Sequence, residues 1–232
     1  MPELLYPPAP RTNDVSGYYS YGSYCKEGKP LPRDLRDFVS DQNSRGTIVV
    51  AFGTIVPWDA APLDKLQSFV DVSNIPSVPF AQALNNFTEY RIVWSYNGRK
   101  ISVGKHIKLS KWIPQNDLLL HRKTVLFISH GGLKSVKEAA CSGTPSLFMP
   151  MFAEQMRNAW LAKNKVGYAE ILNKFLVSKA YVEQKISDVL GDPKYAARGK
   201  VLKEVGERQK KLKDSRGLAK QQEEKDNKTT KR

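Results

Sequence analysis

The chain holds 2 cysteines and 3 histidines among 232 residues, too few for a disulfide framework or a clustered metal centre. There is no Asp-x-Asp motif and no Cys/His cluster, so metal dependence is not expected. Cys141 falls in the small-residue end of a helical pattern and reads as an inert core thiol. Cys25 lies in an irregular stretch, and a bridge between the two stays open. Long apolar runs are also missing. Nothing approaches the roughly 18 consecutive apolar residues of a membrane-spanning helix, and Met1 to Pro10 has neither the basic nor the apolar region of a signal peptide. The expectation is a chain without leader or membrane anchor.

What is present is enough apolar content, 41%, for one good core. The formal net charge is +14, which raises nucleic acid or an anionic surface as a partner. Half of that charge sits in the tail from Gly191, with fourteen Lys or Arg against seven Asp or Glu. The tail has no aromatic residue after Tyr195, its acids interleave with its bases, and no nucleic-acid motif occurs. A solvated, partly helical or disordered tail over 191–232 is the reading, and nucleic acid is not an expected partner.

Residues 1–29, with Pro7-Pro8, Pro10 and the cluster GYYSYGSY, read as a linker-like segment. Residues 30–190 alternate short apolar runs with helical patterns, which predicts an α/β domain with a parallel sheet. Strands are expected at Thr47 to Phe52, Tyr90 to Trp94, Ile107 to Leu109, Val125 to Ser129 and Ser146 to Met149. Helices are expected from Glu154 to Lys163 and from Ser178 to Leu190. A further helical face runs through Leu63, Leu66, Phe69 and Val70 toward Ala83 and Leu84. Asp71 to Phe80 interrupts it with two prolines, each costing about 3 kcal/mol inside a helix. The interruption is either a loop splitting the helix or an insertion at 71–80. Asn86-Phe87-Thr88 is a glycosylation sequon at a helix end, a triplet short enough to arise by chance.

The segment from Lys111 to Gln155 carries chemistry. After the buried strand ending at Ser129, His130-Gly131-Gly132 turns the chain, and Leu133, Val136 and Ala140 form one apolar helix face that stops at Gly143. Free N–H groups and the positive dipole end of that helix suit a diphosphate. Glu138, about 9 Å along the axis at roughly 1.5 Å per residue, can accept from two ribose hydroxyls. Trp112 offers a stacking face for a base, and Gln115 an amide. Glu154-Gln155 follows another strand and returns to the same sheet edge, where ligands of open α/β sheets bind.

These residues resemble the signature of the UDP-glycosyltransferases, including the UDP-glucuronosyltransferases. The pattern W-x-P-Q-N-D-L-L, F-x-x-H-G-G, E-A, G-x-P and D-Q meets Trp112, Pro114 to Leu119, Phe127, His130 to Gly132, Glu138-Ala139, Gly143, Pro145 and Gln155. The resemblance implies a Rossmann-like parallel sheet with flanking helices, the C-terminal half of a GT-B glycosyltransferase. It also implies UDP binding by Thr54, Trp112, Gln115, His130, Gly131, Gly132 and Glu138, and donor-sugar binding by Glu154 and Gln155. The donor would be UDP-glucuronic acid or UDP-glucose as co-substrate, with no other cofactor. The acceptor would be a small lipophilic compound, and homo- or hetero-oligomers with family members are possible partners.

Two positions depart from the family. Glu154 replaces the usual Asp and is one methylene longer, which bears on sugar choice. Lys134 replaces Asn or Gly in the first helical turn and either binds phosphate or fills the pocket.

The family's general base is a histidine of an N-terminal domain, so no catalytic residue is expected in this chain. His106 and His121 read as surface or capping residues. The enzyme reading is a UDP-dependent hexosyltransferase whose donor half is here, inactive by itself. The other reading is an inactive relative that binds UDP-sugar or regulates a full-length partner. Family members typically sit at the endoplasmic reticulum membrane with lumenal domains.

Overall fold

The computed structural model describes residues 25–53, 77–98, 100–208 and 211. Thr54, the helical face at Leu63 to Val70, residues 71–76 of the suspected insertion, the GYYSYGSY cluster and the tail beyond 211 lie outside the described residues.

Six strands form one parallel sheet: β1 Thr47–Ala51, β2 Arg91–Ser95, β3 Ile107–Ser110, β4 Thr124–Ser129, β5 Ser146–Phe148 and β6 Ala169–Ile171. Their order is β3-β2-β1-β4-β5-β6, the doubly wound arrangement whose switch point lies between β1 and β4. In β1 every residue is buried, because helices cover both faces of such a sheet. Alternation then sorts the side chains. Val49, Val93, Phe127 and Phe148 enter one core; Ile48, Val50, Ile92, Trp94, Leu126, Ile128 and Leu147 enter the other.

The helices are α1 Arg33–Val39, α2 Ser77–Asn85, α3 Gln115–Leu120, α4 Leu133–Ser142, α5 Gln155–Leu161 and α6 Lys179–Gly191. A further helix, α7, covers residues 193–208. Leu35, Leu118, Leu119, Val136 and Ala140 bring α1, α3 and α4 to the first core. Phe80, Leu84, Val182 and Ile186 bring α2 and α6 to the second. Residues 77–80 of the suspected insertion thus start α2, with Pro79 in its first turn, where the lost N–H is harmless. A π-helical turn at Ala162–Val166 prolongs α5, and Gly167 ends it at φ 83°. Ser178 caps α6 by accepting from the Tyr181 N–H at 3.2 Å. Among the described residues no helix is long and apolar enough to cross a membrane.

Two expectations fail. Cys25 and Cys141 form a disulfide with Cα atoms 5.4 Å apart, so Cys141 is not an inert thiol. The irregular segment is brought into reach by α3: the Lys29 N–H donates to Asp117 Oδ1 at 2.7 Å, and Asn116 Nδ2 donates to the Glu27 carbonyl at 3.3 Å. His106 is not at the surface. It is buried, with Nε2 3.2 Å from the Leu84 carbonyl.

The first part of the basic tail also packs on the domain. Tyr195 and Leu202 of α7 are buried, because α7 crosses the end of α4 at a glycine pair. Gly143 takes φ 74°, and a Cβ on Gly199 would sit 2.0 Å from the Gly143 carbonyl oxygen. Gly199→Ala is therefore expected to lower stability by about 1–3 kcal/mol, the usual penalty of overpacking. Chemical denaturation measures it, and hydrogen exchange should show the loosening concentrated in α7.

Candidate functional site

Ligand chemistry gathers at the carboxyl edge of the sheet, at the β1/β4 switch point. The loop after β1 reaches Gly53 at φ 79°, and a Cβ there would meet the His130 ring at 3.1 Å. On the other side, a Cβ on Gly132 would lie 2.5 Å from His130 Nε2. The imidazole is therefore seated between two backbones that only glycine lets approach so closely.

Burial lowers the His130 pKa below its ordinary 6.5, opposed by a hydrogen bond to the Ala51 backbone and by the negative charge of Glu154. Burial likewise lowers that of His121, helped by Arg122 and Lys123. His121 is the C-cap residue of α3, as expected for a capping histidine. In both rings the neutral form is favoured by folding, so the unfolded chain binds more protons just below pH 6.5. The stability these groups contribute is present above that pH and is lost as pH falls through the lowered folded values. Thermal midpoints should thus decline on acidification before the carboxylates titrate, and His121→Gln/His130→Gln should flatten that part of the profile.

Gly131 follows at φ 80°, and its carbonyl accepts from Asn158 Nδ2 at 3.1 Å. Holding that carbonyl inward turns the next N–H, on Gly132, to the opposite side of the peptide plane. Gly132 is the N-cap residue of α4, and no side chain caps the helix there. Its first N–H groups are thus left for a ligand or solvent. Lys134 is exposed in this same first turn.

One turn further along α4, Glu138 is buried. Gln115, at the start of α3, donates through Nε2 to Glu138 Oε2 at 2.6 Å and lies 3.3 Å from Ser135 Oγ. The amide expected to face a base or ribose is thus also the group that orients the carboxylate. Trp112 stands 73% exposed just before α3, its backbone tied to Ser110 Oγ. A large indole left uncovered is available for stacking.

The loop after β5 completes the edge. Ala153 is the one non-glycine residue with positive φ, 52°, among the described residues, a strained conformation of the kind that collects at functional loops. Glu154 is exposed and Gln155 is buried. Gln155 Oε1 accepts from the N–H groups of Met151 and Phe152 at 2.9 and 3.2 Å, so this amide holds the loop that carries Glu154.

The structure brings Gln115 to Glu138 and seats His130 beside Gly132. It also presents Trp112, Lys134 and Glu154 in the open; Thr54 lies outside the described residues. Three participants escaped sequence reasoning. Ser135 could have been found by its place three residues before Glu138 on one helix face. Asn158 could have been found at the same spacing after Gln155. Gly53 was not singled out, although it stands in the same Phe52-Gly53-Thr54 turn as the predicted Thr54.

A Rossmann-like sheet with a glycine turn and a helix N-terminus at its switch point is a fold shared with the GT-B glycosyltransferases. Solved structures agree. Os79 from O. sativa in complex with UDP matches at TM-score 0.60 and 23% identity, over 75% of this chain and 39% of that one. UDP-glucose: anthocyanidin 3-O-glucosyltransferase in complex with UDP matches at TM-score 0.61 and 21% identity, over 77% and 40%. The family model "UDP-glucoronosyl and UDP-glucosyl transferase" matches residues 8–207, and the chain belongs to that family. UDP-glucuronosyltransferase 2B13 of Oryctolagus cuniculus is 33% identical over 185 residues, covering 79% of this chain and 32% of the relative. UDP-glucuronosyltransferase 2B7 of Homo sapiens is 32% identical over 195 residues, covering 83% and 33%. The chain thus spans about a third of the length of these curated relatives.

Proposed function

We propose that this chain is the donor-binding half of a UDP-dependent glycosyltransferase that moves glucuronic acid or glucose from its UDP-sugar to a small lipophilic acceptor. The observation that carries the reading is the buried Glu138 held by Gln115, one turn beyond a glycine-built helix N-terminus at the switch point. A carboxylate there accepts from the ribose hydroxyls, while Trp112 stacks on the uracil. The Gly131-Gly132 turn, His130 and Lys134 face the diphosphate, and Glu154 and Gln155 lie toward the sugar. Thr54, directly after Gly53, belongs with the phosphate group in this reading.

Transfer requires a base for the acceptor's proton while the sugar–phosphate bond breaks. His106 is buried against the Leu84 carbonyl, His121 lies 3.3 Å from Ser40 Oγ, and His130 sits on the donor side. None is placed to serve an acceptor. The base therefore comes from outside the described residues, and the isolated chain binds UDP without turnover. Growing negative charge on the departing UDP is met by the α4 N-terminus and His130. A lumenal, oxidising compartment is part of this proposal and draws support from the Cys25–Cys141 disulfide.

Isothermal calorimetry with UDP tests the reading, and absence of UDP binding to the full chain sinks it. Lys134→Gly should weaken UDP severalfold and leave uridine unaffected, because its ammonium meets phosphate and not base. An unchanged UDP affinity would place Lys134 outside the site.

A further inference from the structure

We propose that Asn86 is the acceptor of an N-linked oligosaccharide. Asn86-Phe87-Thr88 fits the Asn-x-Thr acceptor pattern, and it lies in an exposed turn. The triplet follows directly after α2 ends at Asn85, in a turn held by the Asn86 and Phe87 N–H groups donating to the Ala83 and Leu84 carbonyls. Phe87 is partly buried against the second core, 6.3 Å from the Tyr90 ring. That anchor leaves Asn86 and Thr88, the two residues an acceptor must present, both exposed.

A second, independent observation concerns the compartment. Disulfides form and persist where the redox environment is oxidising, and Cys25 is joined to Cys141. The lumen of the endoplasmic reticulum is one such compartment, and it is where lipid-linked oligosaccharide donors serve N-glycosylation. The strands are parallel and α2 returns the chain to the start of β2, so Asn86 sits at the amino edge of the sheet. The nucleotide-binding groups sit at the carboxyl edge. A glycan at Asn86 therefore leaves the donor site open, and the inference stands whether or not the donor reading does.

The step forms a bond between Asn86 Nδ2 and the anomeric carbon of an oligosaccharide carried on a polyprenyl diphosphate. The carbon–oxygen bond to the diphosphate breaks, the lipid diphosphate leaves with the electron pair, and Nδ2 loses one proton. One N–H remains. In the structure Nδ2 donates to Glu183 Oε1 of α6 at 2.5 Å, and the remaining N–H can keep that bond, so the glycan adds no unpaired group.

The test expresses the full chain behind a secretion signal in eukaryotic cells, together with Asn86→Gln and Thr88→Ala, and treats each with a peptide N-glycosidase. Wild type should lose the mobility shift of a glycan on treatment, with Asn86 converted to aspartate in the peptide mass spectrum. Both variants should lack that conversion at residue 86. Another triplet, Asn227-Lys228-Thr229, lies outside the described residues, so the mapped peptide and not the gel decides. An unconverted Asn86 in wild-type chain whose two cysteines resist alkylation overturns the proposal. So does conversion at residue 86 in Thr88→Ala equal to that of wild type.

Discussion

Cys141→Ser is expected to lower the stability of the chain by about 4–5 kcal/mol, the loop-entropy value for a bridge closing on the order of 100 residues. The bridged cysteines are 116 positions apart, so the cross-link removes more freedom from the unfolded chain than a local bridge would. Native contacts reinforce the effect. The bridge ties the segment before α1 to the end of α4, and Lys29 and Glu27 lock the same segment onto α3. At roughly 2–4 °C per kcal/mol for a domain of this size, the thermal midpoint should fall by about 8–20 °C. Differential scanning calorimetry measures the drop, and reduction of wild type should reproduce it. A midpoint indifferent to reductant would show that the bridge contributes nothing in solution.

Glu138→Ala should reduce UDP affinity by about 10- to 100-fold, since a charge-assisted hydrogen bond contributes about 1.5–3 kcal/mol and each 1.4 kcal/mol is about tenfold. The loss should be equal for uridine, because the carboxylate meets ribose. That pattern separates it from Lys134→Gly. Gln115→Ala acts partly through the same group, having lost the amide that holds Glu138 Oε2 at 2.6 Å. The double variant Gln115→Ala/Glu138→Ala should therefore bind only slightly worse than Glu138→Ala alone, a non-additivity expected of residues in contact. Calorimetry of the four proteins completes the cycle. Additive losses would mean that Gln115 reaches the nucleotide independently of Glu138.

The central strands were legible because continuous apolar runs such as Ile48 to Ala51 and Leu126 to Ile128 have no better place than a sheet covered on both faces. The α4 boundaries were legible because glycine stands at each end. β6 was not. Its three residues, Ala169–Ile171, are too few to show a period, and pairing with β5 creates the strand. The His106 environment also escaped, since its partner, the Leu84 carbonyl, lies 22 positions away. The packing of the tail's helical part was not legible from composition. Its net positive charge hides Tyr195 and Leu202, which become a packing face only once Gly143 and Gly199 let α7 approach.

By itself the sequence determined the family, the parallel α/β class and the position of the glycine turn, because each rests on residue types at short fixed spacing. Tertiary structure alone decided what those residues do to one another. It set Gln115 to hold Glu138, Gln155 to hold its own loop, Asn158 to fix the Gly131 carbonyl and Cys25 to meet Cys141. The reason is physical. Local spacing limits backbone conformation, whereas a hydrogen bond or disulfide between distant positions depends on which strand ends the sheet order places side by side.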